Sequence, residues 1–298
     1  MPALELALLR TALDLGAETT GGELSPAERG LVEQARRTAP ARADLLEQYR
    51  AAILAGQDPL GAVFTAIRSP RMRRMVGAFY TQPLIRDPML DWVLARDPDR
   101  LVDAGCGSGR FAAEAARRRQ GLEIIAVDVD PLATLLTRAA LAVLDARATR
   151  VVQADYTRFD LPGIAGRTAF IANPPYVRHH ELSLGSKGWL VSSGRQLGQR
   201  VSALAGLHAH FFLATALHVQ LGDVGCFVTS AEWLDVNYGS AIRKLLLQRL
   251  GLRSLHLLNP RAIPFEDAMT TAVIVCFEAG TYPDSIRLRS VESPAEMR

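Results

Sequence analysis

The sequence of 298 residues has few of the features that mark secreted, metal-binding or membrane proteins. Its three cysteines, Cys106, Cys226 and Cys276, show no C-x-x-C spacing, which disfavours a disulfide framework and a zinc site. No long apolar run is free of charge, and no basic segment followed by an apolar core stands at the N-terminus. The net charge of +3 is too small to indicate a polyanionic partner by itself. We therefore expect a cytoplasmic protein with no membrane segment and no bound metal.

Two patterns of secondary structure follow one another along the chain. Helical signals dominate the first 70 residues, where Ser25-Pro26-Ala27-Glu28 is a capping box and Asp58-Pro59 predicts another helix start. From Asp99 onward, strand and helix signals alternate, which is typical of α/β proteins. We expect a Rossmann-like, seven-stranded, mostly parallel sheet covered by helices on both faces. The expected parts are an N-terminal helical domain at 1–70, an α/β domain at 71–283, and a terminal strand and tail at 284–298.

One short segment combines an amide, two prolines and an aromatic ring. The apolar residues 168–172 predict a buried strand, which Pro174 and Pro175 end abruptly. The prolines also restrict their neighbours, so Asn173 and Tyr176 are held stiffly beyond the sheet edge. A carboxamide, backbone carbonyls and a ring can together bind a planar molecule that carries an NH2 group. The alternative for this segment alone is a strand followed by an ordinary Pro-Pro turn.

A glycine-rich turn stands between the first predicted strand and the next helix. Gly105, Gly107 and Gly109 allow a tight turn and a close approach of the backbone to a ligand. Their spacing differs from the dinucleotide pattern G-x-G-x-x-G, which lowers the case for NAD. Asp103, at the end of the strand, would repel a pyrophosphate and would favour a sulfonium or an amine.

Acidic residues also end the next two predicted strands. Asp128, followed by Val129, lies about 20 residues beyond the glycines, where an acid can accept hydrogen bonds from ribose hydroxyls. Asp155 is placed to accept from an adenine amine, with Tyr156 beside it as a stacking surface. An acid at a strand end can also serve only as a helix cap. Because three consecutive strand ends share the pattern, we expect S-adenosylmethionine as the ligand.

The order of these segments resembles that of DNA adenine-N6 methyltransferases of the restriction–modification type, within the class I S-adenosylmethionine-dependent methyltransferases. Residues 77–83 (GAFYTQP) resemble the G-x-F-Y-T-P element, placed ahead of the glycine turn as in the gamma arrangement. Here Gln82 separates Thr81 from Pro83 and so interrupts the usual Thr-Pro pair. The similarity continues through residues 173–178, 225–234 and 262–268.

The resemblance implies an activity and roles for particular residues. The α/β domain would transfer a methyl group from S-adenosylmethionine to N6 of an adenine flipped out of duplex DNA. Asn173 and the carbonyl of Pro174 would bind the N6 amine, Pro175 and Tyr176 would complete the site, and Asn173 would also approach the cofactor. Phe265 would pack against the flipped base opposite Tyr176. The segment that closes over the methionine end of the cofactor would contain Phe79, Tyr80 and Thr81.

Basic residues after this segment suit a phosphate backbone, although a solvated surface is an equal alternative. They are Arg178, Lys187, Arg195 and Arg200. Residues 181–205 are polar and rich in glycine and serine, and we expect a mobile loop there. His179 and His180 are adjacent, and His208 and His210 are two positions apart in a predicted helix. Neither pair shares a face, so the sequence predicts no metal site.

Three other functions fit parts of the pattern. A protein glutamine-N5 methyltransferase fits the Asn-Pro-Pro-Tyr segment, because its carboxamide substrate also presents an NH2 group, and it fits the N-terminal helical domain. An RNA adenine methyltransferase shares the base-binding features, and a non-catalytic subunit that binds S-adenosylmethionine is a further alternative. Relatives of the restriction–modification type usually carry a target-recognition domain, for which the residues after 280 are too few. A partner subunit would then supply sequence recognition.

Overall fold

The computed structural model describes residues 2–68, 81–259, 271–293 and 296. Over these residues the helices are α1 Ala3–Asp14, α2 Pro26–Ala35, α3 Ala43–Leu54, α4 Pro59–Ile67, α5 Pro83–Leu94, α6 Arg110–Arg118, α7 Pro131–Val143, α8 Leu184–Gln196, α9 Leu207–His218 and α10 Gly239–Leu245. The strands are β1 Arg100–Ala104, β2 Glu123–Asp128, β3 Thr149–Gln153, β4 Thr168–Ala172, β5 Val224–Ser230, β6 Leu252–Leu258, β7 Ala272–Glu278 and β8 Arg287–Val291. None of these helices is long and apolar enough to cross a lipid bilayer.

The described strands form a mostly parallel sheet of eight strands, one more than the seven predicted. The additional strand is β8, which lies within 284–298, where a terminal strand was expected outside the seven-stranded sheet. It joins the sheet by pairing in parallel with β6, and only its Val291 is fully buried. The α/β class and the mostly parallel arrangement are as predicted.

Contacts divide the chain into two compact units. The first comprises Met1–Ser69 and Asp99–Tyr156, and the second comprises Pro70–Pro98 and Thr157–Arg298. In the first unit β1, β2 and β3 run parallel, with β2 between its neighbours. Their carboxyl ends therefore meet at one edge of this unit, where ligands of such sheets bind. The division at 1–70, 71–283 and 284–298 stays a prediction.

The N-terminal helices pack on α7 within the first unit. Leu9 of α1 and Leu136 of α7 are both completely buried in the core that these helices share. The predicted capping box is confirmed, because Ser25 Oγ accepts from Glu28 N at 3.0 Å and Glu28 Oε2 accepts from Ser25 N at 2.6 Å. The helical region is therefore joined to the α/β part through a common core.

A buried ion pair also joins α2 to α7. Arg138 Nε lies 3.0 Å from Glu28 Oε1, and neither side chain is more than 1% exposed. Thr134 Oγ1 donates to the same carboxylate oxygen at 2.8 Å. The Arg138 guanidinium donates further hydrogen bonds to the carbonyl oxygens of Thr20, Gly22, Glu23 and Val151. Both charges are thus compensated by hydrogen bonds despite their burial.

In the second unit, β4 and β5 are parallel, whereas β7 is antiparallel to both β5 and β6. Helix α5 packs against β4 and β5. The expectation of a mobile loop at 181–205 was wrong, because α8 occupies much of that segment. Ser183 Oγ caps α8 by accepting from Ser186 N at 3.1 Å, and Leu190 is completely buried. The Trp189 ring also stacks on His210, with 5.6 Å between ring centroids. These tertiary contacts outweigh the low helix propensity of glycine and serine.

Candidate active site

The turn after β1 holds its three glycines in left-handed backbone conformations. The φ angles of Gly105, Gly107 and Gly109 are 72°, 55° and 87°, which side chains rarely allow. A Cβ atom on Gly109 would lie 2.9 Å from the Thr137 side chain, so α7 closes this side of the turn. Thr137 Oγ1 also donates to the Gly107 carbonyl at 2.9 Å. A Cβ atom on Gly107 would meet no atom within 4 Å, so the turn is open beside Gly107.

Asp103 is a completely buried carboxyl group below this turn. Its Oδ2 accepts from Ala112 N at 3.0 Å, whereas the buried Oδ1 has no hydrogen-bond partner among the described residues. Burial raises the pKa of Asp103 to about 7; the Ala112 hydrogen bond opposes this rise, and nearby Asp128 adds to it. A buried carboxylate that lacks one partner suits a cationic ligand, which would compensate its charge. Asp103 and the open glycine turn therefore fit S-adenosylmethionine.

Asp128, at the end of β2, links this strand to the glycine turn. Its Oδ2 accepts from Gly107 N at 2.8 Å, and its Oδ1 accepts from Asp130 N at 2.9 Å. Burial raises the pKa of Asp128, while these two hydrogen bonds and the charge of Arg68 oppose the rise. Val129, directly after it, is 62% exposed. Each carboxylate oxygen has a second lone pair, so the predicted contact with ribose hydroxyls stays chemically possible.

Two further residues predicted to bind the cofactor follow the end of β3. Asp155 is exposed, and Tyr156 is buried at the start of a short 3₁₀ turn, Tyr156–Arg158. The preceding Ala154 N donates to the Asp128 carbonyl at 2.8 Å, which keeps the ends of β2 and β3 together. The contacts of Asp155 and Tyr156 with an adenine ring remain predictions.

In the second unit, Asn173 directly follows the completely buried strand β4. Asn173 Nδ2 donates to Thr81 Oγ1 at 3.0 Å, and Thr81 itself is only 4% exposed. In this hydrogen bond the NH2 group of the amide is directed to Thr81. Pro174 is buried and Pro175 half-buried, and burial of the phenol oxygen raises the pKa of Tyr176. The sequence indicated both Asn173 and Thr81, but not that they form a pair.

The remaining predicted site residues are four basic side chains that the structure describes and three aromatic residues that it does not. Arg178, Arg195 and Arg200 are exposed, and Lys187 is half-buried, so their contact with phosphates stays a prediction. Phe79, Tyr80 and Phe265 lie outside the described residues.

Comparison with known proteins defines the class of this domain. Residues 89–197 match the family model of the methyltransferase small domain. A putative class I S-adenosylmethionine-dependent methyltransferase from Listeria monocytogenes has the same fold, with a TM-score of 0.59 and 12% identity. That match covers 98% of this chain and 92% of the other. The chain has the class I S-adenosylmethionine-dependent methyltransferase fold, as predicted, and both matches agree with S-adenosylmethionine as the expected cofactor.

Within this class, the chain is similar to restriction–modification methyltransferases, which confirms the predicted resemblance. It is 47% identical over 238 residues to the Type II methyltransferase M.XamI of Xanthomonas campestris pv. amaranthicola. This match covers 79% of this chain and 43% of that protein. The Type IIL restriction–modification enzyme MmeI, solved in complex with DNA, matches with a TM-score of 0.57 and 17% identity. This second match covers 92% of the chain and 45% of MmeI. The chain thus spans less than half the length of both proteins.

The affinity for S-adenosylmethionine is expected to fall as the pH is lowered from about 7. The pKa of Asp103 is raised to about 7 by burial, so its negative charge is lost below that pH. A cationic ligand binds the ionised form better, and linkage limits the loss of affinity to about tenfold per pH unit. Calorimetric titration between about pH 5 and 7 measures the effect while the amino group of the ligand, with a pKa of about 8, stays protonated.

The variant Asp103→Asn provides the control. It should bind S-adenosylmethionine more weakly at pH 7. Its affinity should no longer fall as the pH is lowered below about 7, because the carboxyl group is absent. Because burial raises the pKa of Asp103, ionisation opposes folding, and this cost grows from pH 3.8 to about 7 and is constant above. The variant should therefore melt at a higher temperature than the wild type at pH 8. If the variant keeps the wild-type pH profile of binding, another group such as Asp128 is responsible.

Proposed function

We propose that this chain transfers a methyl group from S-adenosylmethionine to the N6 amine of adenine in DNA, with the base flipped into the Asn173–Tyr176 site. The observation that carries the proposal is the fixed amide of Asn173 at the end of β4. The 47% identity with M.XamI, a Type II methyltransferase, supports DNA as the substrate.

The orientation of the Asn173 amide determines which atom meets the substrate. Because the NH2 group donates to Thr81, the acceptor Oδ1 is the half of the amide that suits an amine. A reversed amide would place its own N–H groups against those of adenine N6. In the orientation seen with Thr81, the amide therefore offers an acceptor to the incoming amine.

Two acceptors make N6 a better nucleophile. The lone pair of N6 is delocalised into the adenine ring, which weakens its attack on carbon. When Asn173 Oδ1 and the Pro174 carbonyl each accept one N6 hydrogen, the nitrogen moves towards tetrahedral geometry and its lone pair is released. S-adenosylmethionine would supply an electrophilic methyl group on its sulfonium. When N6 bonds to this carbon, the carbon–sulfur bond breaks to leave S-adenosylhomocysteine, and N6 loses one hydrogen as a proton to solvent. Positioning and electrostatic stabilisation carry most of the acceleration, so that no strong base is required.

Tyr176 provides a ring on which the flipped base stacks. Replacing Tyr176 with Ala is expected to lower kcat/KM for DNA by about tenfold to a hundredfold, since stacking contributes roughly 1–3 kcal/mol per base. Tyr176→Phe keeps the ring and should retain most of the activity. Steady-state kinetics at saturating S-adenosylmethionine distinguish the variants. An equal loss in both would assign the effect to the phenol group and contradict a stacking role.

DNA binding on this proposal uses the exposed basic side chains that follow the Asn-Pro-Pro-Tyr segment. Arg178, Arg195 and Arg200 are exposed, and Lys187 on α8 is half-buried. Contacts of this kind bind phosphates without reading sequence. MmeI, whose fold is similar, was solved in complex with DNA. Because the chain spans 43% of M.XamI, we propose that sequence recognition comes from a partner subunit or a further domain.

The proposed function is tested by following labelled methyl groups. The protein is incubated with radiolabelled S-adenosylmethionine and, separately, with duplex DNA, RNA and a mixture of proteins. Duplexes with adenine opposite an abasic site are included, because a destabilised base is easier to flip. We expect label in DNA, recovered as N6-methyladenine after hydrolysis. Label in RNA or in protein glutamine, with none in DNA, would replace the proposal with the corresponding alternative.

A further inference from the structure

Helix α4 contacts both loops that are expected to bind the cofactor. Asp58 caps its start and contacts the glycine turn after β1, whereas Arg68 at its end contacts the loop after β2. We infer that α4 is a positioning element for S-adenosylmethionine, in which Asp58 holds the glycine turn in its binding conformation. The inference rests on the proposed use of S-adenosylmethionine and gives the N-terminal helices a role in that reaction.

The Asp58 carboxylate holds three donors from two segments of the chain. Its Oδ1 accepts from Gly61 N at 2.7 Å, which caps α4. Its Oδ2 accepts from Ser108 Oγ at 2.6 Å and lies 2.9 Å from Arg110 Nε. The Asp58 and Arg110 side chains are only 12% and 8% exposed, so these charge-assisted contacts are poorly screened by solvent. Ser108 and Arg110 flank Gly109, the last glycine of the turn.

Gly61 explains how α4 can approach the turn so closely. A Cβ atom at this position would lie 1.9 Å from Asp58 Oδ2 and 2.3 Å from Ser108 Oγ. Glycine inside a helix costs about 1 kcal/mol relative to alanine. The contact between Asp58 and Ser108 thus requires glycine at position 61, although glycine lowers the stability of the helix.

Arg68 forms the second contact of α4 with the cofactor loops. Its guanidinium pairs with Asp130 Oδ2 and lies 4.0 Å from the centroid of the Phe64 ring. Asp130 caps α7 by accepting from Leu132 N at 2.9 Å. The Asp130 backbone N–H also donates to Asp128, so Arg68 supports the position of that carboxylate.

These contacts predict an effect on binding rather than on the chemical step. Three glycines within five residues give the turn after β1 many accessible conformations when it is unsupported. Asp58 restricts them before the ligand arrives, which reduces the entropy lost on binding. Loss of Asp58 should therefore raise Kd and KM for S-adenosylmethionine, while kcat at saturating cofactor changes little.

The test compares Asp58→Asn and Ser108→Ala with the wild type in calorimetric titrations of S-adenosylmethionine and S-adenosylhomocysteine. We expect Asp58→Asn to raise both Kd values by about tenfold, and Ser108→Ala to raise them by a smaller factor. The two effects should not add in the double variant, since both weaken the same contact between Asp58 and Ser108. Asp44→Asn is the matched control, because Asp44 is a half-exposed acid in the first turn of α3 that pairs only with Arg42 in the described structure. It should leave both Kd values unchanged.

Thermal melting of the unliganded variants separates positioning from simple loss of fold. If Asp58→Asn stays folded at the assay temperature and binds both ligands within about twofold of the wild type, the inference is wrong. Additive effects of Asp58→Asn and Ser108→Ala would also contradict it. If the wild type itself binds neither ligand, the proposed function fails, whatever the variants do. Binding by the wild type without methyl transfer to DNA would leave the role of Asp58 in place and overturn only the choice of acceptor.

Discussion

Replacing Asn173 with Ala is expected to lower kcat for methyl transfer by at least about a hundredfold, as removal of one oriented polar group from a reacting centre does elsewhere. The variant loses the Oδ1 acceptor for adenine N6 and leaves the amine with the Pro174 carbonyl alone. Affinity for S-adenosylmethionine should stay nearly unchanged, because the acidic and glycine residues proposed to bind it lie in other loops. Single-turnover kinetics with saturating DNA and cofactor measure the step directly. Retained turnover would remove Asn173 from the mechanism.

Thr81 offers a second measurement on the same amide. Thr81→Val keeps the size of the side chain but removes the hydroxyl that accepts from Asn173 Nδ2 at 3.0 Å. The amide could then rotate, and kcat should fall, whereas Thr81→Ser should retain most of the activity. The matched control is Thr11→Val, since Thr11 is also buried and its hydroxyl bonds a backbone carbonyl in α1. Unchanged kcat in Thr81→Val would show that the amide is oriented without the hydroxyl.

Replacing Arg138 with Ala is expected to lower the free energy of unfolding by about 3–5 kcal/mol, the usual cost of breaking a buried ion pair from one side. The change leaves the completely buried Glu28 carboxylate without its positive partner. Four backbone carbonyls of two segments would lose a donor as well. Urea denaturation, followed by circular dichroism, measures the difference.

Two comparisons identify the cause of this loss. The double variant Glu28→Gln with Arg138→Met removes both charges and should be more stable than Arg138→Ala, because no buried charge stays uncompensated. Arg147→Ala removes an arginine from an exposed pair with Asp145 and should leave stability nearly unchanged. If Arg138→Ala were as mild as Arg147→Ala, the buried network would not be what joins α2 to α7.

The sequence by itself determined the elements whose signals are local. The capping box of Ser25 and Glu28 starts α2 as predicted, because its partners are three residues apart in the chain. The glycine turn after β1 and the prolines after β4 were likewise visible, since they act through their own backbone angles. The α/β class followed from the alternation of strands and helices.

Only the tertiary structure decided which distant side chains would meet. It folded a segment rich in glycine and serine into α8, and it added β8 to the sheet by pairing with β6. It also brought Asp58 to Ser108 across 50 positions and Thr81 to Asn173 across 92. A polar side chain in the sequence shows what it can donate or accept, but its partner is chosen by the packing of strands and helices between them. The residues of the candidate site could therefore be named from the sequence, whereas the contacts that orient them could not.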